Sequence, residues 1–419
     1  MTLPKRRPSG SRSLLLTCFD AALQAVDGRG CVRRQLDCES LDGRWHVVAI
    51  GKAAGAMTAG AIDGLGERVV QALVVTVPGR AASIDALQRA RIRVIESVHP
   101  QPDARSVLAG RAVVEFVEAL PQSARLLWLI SGGASSLVEV PAPGITLAEL
   151  QRVNGWLLAS GLGIASINAV RRRMSSIKGG GLAEIAAPRT GIALMISDVP
   201  EDDPAVIGSG LLHRRQGSSS LPRSLPADVA DVLARCPDRA RIVTPRVPAR
   251  IVASNRHARA AARERACGQG CRVVRAGRGE FAGDAVALGR TFARRIAAAA
   301  PGTMWIWGGE STVTLPASAG RGGRNQQLAL AAAVAMAGKT GLTLLAAGTD
   351  GIDGASDDAG AIVDDTTCTR GAEAGLDALE FLSRADSGTY LEECGDLLHT
   401  GPTGTNVSDL VLGIREASP

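Results

Sequence analysis

Residues 46–57 read HVVAIGKAAGAM: an unbroken apolar run, then glycine and lysine, then a string of small residues. Continuous rather than alternating apolarity suits a strand buried on both faces. The small residues after Lys52 suit the start of a helix. Strand, glycine turn and helix together form the opening of a βα unit. The same grammar recurs at ALVVTVP (72–78), RIRVIES (91–97), LLWLIS (126–131), GIALMIS (191–197), RIVASN (250–255), TMWIWGG (303–309) and LTLLAAG (342–348). Helix-like stretches such as 105–120 and 281–300 lie between these runs. Strands alternating with helices predict an α/β fold with parallel sheets and right-handed crossovers.

A chain of 419 residues is too long for one ordinary domain, so two are expected. The segment 210–230, GLLHRRQGSSSLPRSLPADVA, is rich in Ser, Pro and Arg and has no apolar period. It reads as an interdomain connection or a mobile loop, which puts the boundary near residue 240: domains 1–240 and 241–419. No apolar run approaches the roughly 18 residues that span a bilayer. The basic start MTLPKRRPSGSRS reads as a frayed tail before a helix, with a mitochondrial presequence as the alternative. Eight cysteines form no C-x-x-C pair and five histidines lack zinc-ligand spacing. The expectation is reduced thiols packed as small hydrophobes in a cytoplasmic protein.

Of 47 basic residues only four are lysine: Lys5, Lys52, Lys178 and Lys339. In so arginine-rich a chain, a retained lysine suggests a need for a compact ammonium rather than a planar fork. Lys52 and Lys178 both stand in glycine-rich segments, IGKAAGA and SIKGGGLA. A positive charge at a helix start opposes the dipole, which favours a functional reading of Lys52.

Several strands end in polar or glycine-rich turns, where open α/β sheets bind ligands. ISGGASS offers Ser131, Gly132, Gly133 and Ser135 as a backbone anion cradle, or simply as a common helix start. It lacks the G-x-S-x-G elbow of serine hydrolases. ISDVPEDDP gathers four acids; Asp198, nearest the strand, is the candidate to hold Mg²⁺ or receive a hydroxyl proton, while Asp202 and Asp203 suit helix capping. Glu310 ends WGGE, and a β-hairpin is expected to lead from there to GRGGRNQQ, where Arg324 suits bidentate anion contact. AGTDGIDGASDD adds Asp350, Asp353, Asp357 and Asp358 without EF-hand spacing. TGPTGTNVSDL reads as a structural turn before a last helix or strand.

In order along the chain, AIGKAAGAM, SVHPQPDARS, LISGGASSL, INAVRRRMSSIKGGGLA, ISDVPEDDPAVIGSG, WGGESTVTLP, GRGGRNQQLAL, AAGTDGIDGASDDAGA and HTGPTGTNVSDL cover residues 46–412. In this order they resemble the type II glycerate kinases, which pair an N-terminal kinase-like domain with a C-terminal MOFRL domain. The resemblance implies a Rossmann-like α/β/α N-terminal domain, a smaller mixed α/β domain, and an active site in the interdomain cleft. It implies ATP-dependent phosphorylation of D-glycerate at the 2-hydroxyl, with ATP and Mg²⁺ required. By motif it makes Lys52, Asp198 and Arg324 catalytic. Ser131, Gly132, Gly133, Ser135, Lys178, Glu310, Asp350 and Asn406 would bind substrate or nucleotide, and Asp198 and Asp350 the metal. One departure stands out: the family usually continues SGPTV where this chain reads SGLLHRRQGSSS from Ser209. Ala134 also replaces a third glycine.

Some family members carry the name hydroxypyruvate reductase, so an NAD(P)H oxidoreductase is the enzymatic rival, alongside a kinase for a related hydroxy acid. Against the reductase, no G-x-G-x-x-G follows a predicted strand and no acid lies about 20 residues beyond one. A net charge of +6 and pI near 9.1 raise nucleic-acid binding. Five Trp, five Phe and one Tyr leave few rings for base stacking, and the arginines interleave with Ala and Val as solvated helix faces. The expected partner is a small molecule, with neither nucleic acid nor membrane, and homo-oligomerisation stays open.

Overall fold

Val47, Val48, Ala49 and Ile50 have no solvent-exposed surface, so the first apolar run is a strand covered on both faces. The computed structural model describes residues 10–39, 41–80, 91–214, 221–222, 224–236, 247–275, 277, 279–316 and 318–417. These fall into two compact units, and the chain passes between them twice. One unit is Gly28–Ala253; the other joins the segment up to Asp27 to everything from Ser254 onward. This differs from a single cut at residue 240. The opening helix α1 (Gly10–Ala25) belongs with the C-terminal elements, and the second crossing lies at 253/254.

In the central unit, α2 (Gly28–Cys38) is followed by β1 (Trp45–Ile50), α3 (Ala54–Leu65), β2 (Val69–Thr76), β3 (Ile92–Glu96), α4 (Ala104–Glu118) and β4 (Arg125–Ile130). Next come α5 (Ala134–Leu137), α6 (Leu147–Ala159), α7 (Ile164–Arg173), α8 (Gly181–Ala186), β5 (Thr190–Ser197), α9 (Ala227–Arg235) and β6 (Ala249–Ser254). Among the described residues the strands form one six-stranded sheet in the order β3-β2-β1-β4-β5-β6. The pairings from β3 through to β5 are all parallel. That order is the doubly wound, Rossmann-like arrangement, and its direction reverses between β1 and β4. Val48, Leu73, Trp128 and Met195 from the sheet pack against Val113 and Val117 of α4. Asp103 caps α4, accepting from Arg105 N at 2.7 Å, while Ser106 Oγ accepts from Asp103 N at 3.2 Å.

The serine- and arginine-rich segment is not the link between units. Leu211 and Leu212 are buried in the core beside Trp128, and α9 packs with α6 and α7 through Val229, Val232 and Leu233. Residues 215–220 and 223 lie outside the described residues.

The other unit adds α10 (Asn255–Gly268), β7 (Arg272–Arg275), β8 (Ala282–Asp284), α11 (Ala285–Ala298), β9 (Thr303–Thr312), α12 (Arg324–Met336), β10 (Leu342–Gly348), β11 (Gly360–Asp364), β12 (Leu397–Leu398) and β13 (Asp409–Arg415). Its sheet runs β12-β11-β10-β13-β9-β7, with β8 also on β9. The pairs from β12 to β9 are antiparallel, and β7 and β8 pair parallel to β9. This is the mixed sheet of the smaller domain rather than a second parallel one. The expected hairpin after β9 is absent among the described residues: β9 pairs with β13 over 303–309, with β7 over 303–306 and with β8 over 310–312, and no strand returns from 313–323. Helix α12 is buried on all sides by its run of Leu and Ala, and Phe292 of α11 stacks on Trp307 at 4.2 Å. Among the described residues, no helix is long and apolar enough to cross a membrane.

Helix α1 joins this unit through burial of Leu15 and Phe19 and through one arginine. Arg12, 4% exposed, donates from Nε to Asp364 and from Nη2 to Asp396, each at 2.7 Å. Arg370 donates to the same two carboxylates at 3.1 and 2.5 Å. A buried acid, Asp396, and a half-buried one, Asp364, therefore share two arginines. Removing one partner from such a set leaves uncompensated interior charge. Arg12→Ala is expected to destabilise the fold by about 3 kcal/mol, measured by urea unfolding. A loss below about 1 kcal/mol would show that Arg370 alone neutralises both acids.

Candidate active-site residues

The reversal point of the parallel sheet is built by one close approach. Gly51 ends β1 at φ +136°, and a Cβ there would lie 2.1 Å from Ser131 Oγ and 2.7 Å from Ser131 O. Only glycine fits. The contact lets the two strand ends brace each other: Ser131 N donates to Ile50 O at 3.0 Å, and Lys52 N to Gly132 O at 2.9 Å. Ser131 Oγ accepts from Ala53 N at 3.1 Å and has no exposed surface, so its hydroxyl is a strut rather than a ligand contact. Among the described residues, the N–H groups of Gly132 and Gly133 donate to no protein acceptor. That is the condition an anion cradle requires. Lys52 is half-buried beside them, its Cγ 3.3 Å from where a Cβ on Gly133 would sit. His99 approaches the same point; SVHPQPDARS contains it, but sequence reasoning gave it no role.

Ser135 is tied inward. Ser209 Oγ donates to Asn168 Oδ1 at 2.8 Å, so the 2.7 Å contact between Ser135 and Ser209 uses the Ser135 proton. Ser209 holds φ +59°, and its carbonyl accepts from Gly179 N at 3.2 Å. Lys178, which begins this KGGG loop, is 3% exposed, and its ammonium is paired with Glu139. Burial pulls that ammonium below the usual lysine range, against the opposing pull of Glu139. Glu139 also accepts from Ser175 Oγ at 2.5 Å and from Val140 N at 3.0 Å. Lys178 thus fixes the loop from inside and presents no charge to a ligand.

Asp198 is the first residue beyond β5, half-buried, on the strand next to β4. Of its acidic neighbours, Asp203 caps the following turn by accepting from Ala205 N at 2.9 Å. Among the described residues of the altered segment, Leu211 and Leu212 fill the core, His213 Nε2 bonds Val247 O at 2.7 Å, and Arg214 reaches Glu184 at 3.3 Å; Arg215 lies outside the described residues. Burial holds the His213 imidazole below its usual range.

The second group lies wholly in the other unit. Asp353 reaches the start of α12 and accepts from Asn325 N at 3.0 Å, Asn325 Nδ2 at 3.2 Å and Gln326 N at 2.8 Å. A Cβ on Gly323 would lie 2.3 Å from Asp353, so the two glycine loops close only with glycine there. Arg324 then faces Asp409, donating from Nε at 2.6 Å and Nη2 at 3.0 Å, and meets Glu310 at 2.5 Å. Strand register explains the meeting, because Asp409 of β13 pairs with Gly309 on one side and Gly348 on the other. A Cβ on Gly348 would be 3.3 Å from Asp350 Oδ1 and 3.5 Å from Asp409 Oδ1, which brings Asp350 into the same group. Thr349 stitches in the PTGTN loop, donating to Ser408 O at 2.6 Å and accepting from Val407 N at 2.9 Å. Asn406 stands half-buried in that loop.

Burial raises Asp353 to about 7 against its two backbone amide donors, and raises Asp409 to about 6 against the pull of Arg324. Burial alone would lower Arg324, but Asp409 and Glu310 outweigh it and hold the guanidinium firmly charged. Sequence reasoning missed Asp409, although an acid opening the otherwise apolar run DLVLGI was a usable signal. Among the described residues, no three His, Cys, Asp or Glu side chains converge as a metal site.

A family model described as a domain of unknown function, DUF4147, matches residues 14–233, and the MOFRL family model matches residues 303–409. The chain is 34% identical to the D-glycerate 2-kinase of Thermotoga maritima over 97% of this chain and 99% of that one. An Agrobacterium vitis protein whose name, hydroxypyruvate reductase, is itself provisional is 39% identical over 96% of this chain and 93% of its own. The crystal structure of a Thermotoga maritima glycerate kinase superposes with a TM-score of 0.83 at 32% identity, covering 97% of this chain and 100% of that one.

If Asp409 orients Arg324 in its ionised form, activity should fall as pH drops through about 6 and the carboxyl takes up a proton. Asp409→Asn should lower kcat by about 10²-fold and abolish that acid limb. A pH–rate profile of both proteins checks this; an unchanged limb in the variant assigns it to another group.

Proposed function

The chain belongs to the glycerate kinase family, and on that premise we propose that it transfers the γ-phosphoryl group of ATP to the 2-hydroxyl of D-glycerate, giving 2-phosphoglycerate and ADP. The observation that carries this reading is the turn after β1. In a dinucleotide-binding sheet of this order, that turn reads G-x-G-x-x-G and an acid follows β2. Here it reads Gly51-Lys52-Ala53-Ala54-Gly55, and β2 runs out through Thr76, Val77 and Pro78. A lysine beside two unengaged backbone amides suits an oxyanion, not a nicotinamide ribose.

Phosphoryl transfer needs positioning and charge neutralisation more than covalent chemistry. Lys52 and the amides of Gly132 and Gly133 hold oxyanion charge. Asp198 orients the hydroxyl and takes its proton as the new O–P bond forms and the bond to the ADP oxygen breaks. Arg324, fixed by Asp409 and Glu310, meets negative charge on substrate or phosphoryl group; Asp350 and Asn406 bind polar groups of the substrate. Ser135 and Lys178 act from behind, by holding the turns in place. Asp198 and Asp350 are each a single carboxylate of the kind Mg²⁺ accepts. That matches an ion carried mainly by phosphate oxygens and water, which adds charge neutralisation when bound. Work in the cytoplasm is consistent with the free state of all eight cysteines.

A coupled ADP-release assay over a panel of small hydroxy acids should show D-glycerate turned over fastest. Lys52→Arg should lose roughly 10²- to 10³-fold in kcat. An active Lys52→Arg enzyme would remove the argument for a compact ammonium. Robust NADH oxidation with hydroxypyruvate would overturn the kinase reading itself.

A further inference from the structure

We infer that His99 is a further oxyanion-contacting residue, facing Lys52 across the Gly132-Gly133 turn. The inference rests on reading that turn as the anion site. A Cβ placed on Gly133 would meet His99 Cδ2 at 3.2 Å and Nε2 at 3.6 Å, with Lys52 Cγ at 3.3 Å. The ring edge that carries Nε2 and the stem of Lys52 therefore wall the same small notch, and the missing side chain of Gly133 leaves it open. His99 is exposed, whereas its support is not. Two residues earlier, Ser97 is 1% exposed; its N–H donates to Thr76 O and its hydroxyl to Leu137 O, both at 2.8 Å. Four residues later, Asp103 caps α4. The segment is thus fastened on both sides of the histidine, and its ring is set over the carboxyl edge of the sheet rather than left on a loose loop.

An imidazole N–H donates one directed hydrogen bond, and a neighbouring ammonium adds charge without direction. Together they discriminate an oxyanion by position as well as by sign. A carboxylate of the hydroxy acid and a phosphate of the nucleotide share this chemistry, so the two are separated by titration. Wild type, His99→Ala and His99→Gln are titrated calorimetrically with D-glycerate alone, ATP alone and inorganic phosphate. His99→Ala should weaken one of the first two by tenfold or more, and that one identifies the group bound. Glutamine, whose side-chain amide carries a neutral donor, should recover most of the loss. Unchanged affinity of His99→Ala for all three probes would overturn the inference, as would a loss that glutamine leaves unrepaired. Failure of the kinase reading is separate: a wild type that binds inorganic phosphate but shows no glycerate-dependent ADP release sinks that reading, while the phosphate titration still decides His99. A wild type that binds none of the three overturns both.

Discussion

The central unit depends on the contact between Gly51 and Ser131. Two adjacent parallel strands point the same way at the sheet's reversal point, and their helices depart to opposite faces. The backbones after β1 and β4 must therefore turn away from each other within one residue of the sheet. Gly51 permits this because it has no side chain to collide with Ser131, and Ser131 then caps the departing chain through Ala53. Lys52 inherits its position from that geometry. Its own amide is bound to Gly132, so the side chain and the glycine amides are presented as a set.

The other unit solves a comparable problem with acids. Asp353 neutralises the start of α12 and Asp409 seizes Arg324. An arginine surrounded by carboxylates stays charged and is held in orientation, while the charge of the group as a whole is largely balanced. Burial, which lifts Asp353 and Asp409 above the usual carboxylate range, is the counterweight. One unit thus handles charge with an ammonium and backbone dipoles, the other with a clamped guanidinium. These are different instruments, suited respectively to a compact oxyanion and to a planar, oriented partner.

Much of this was legible in the residues. Unbroken apolar runs identified strands buried on both faces, and scarcity of lysine singled out Lys52. The same argument misled at Lys178, because scarcity shows that an ammonium is wanted but not by whom. Its partner Glu139 lies 39 positions earlier in the chain, in a stretch with no distinguishing pattern. ISGGASS reads as a backbone anion cradle with hydroxyls nearby; the Ser131 and Ser135 hydroxyls are engaged with Ala53 and Ser209, which leaves the glycine amides. The hairpin expected after Glu310 gives way to long-range pairing: the end of β9 pairs with β8, which lies earlier in the chain, and local sequence cannot announce that. Asp409 and His99 stand inside quoted motifs, but their meetings with Arg324 and Lys52 come from strand register and from the fastened connection between β3 and α4, which local sequence does not spell out.

Helix α1 and the elements from Ser254 onward make a single compact unit around the shared carboxylates of Arg12 and Arg370. During synthesis, α1 leaves the ribosome before the central unit, and Asp364 and Asp396 leave after it. The whole of Gly28–Ala253 emerges in between, and domains acquire structure as units while the chain grows. Assembly therefore runs from the middle outward. Helix α1 meets α10 most closely, so its apolar face, with Leu15 and Phe19, waits for Asn255–Gly268 to be made. While Gly28–Ala253 is being made, that helix face has no partner from its own unit.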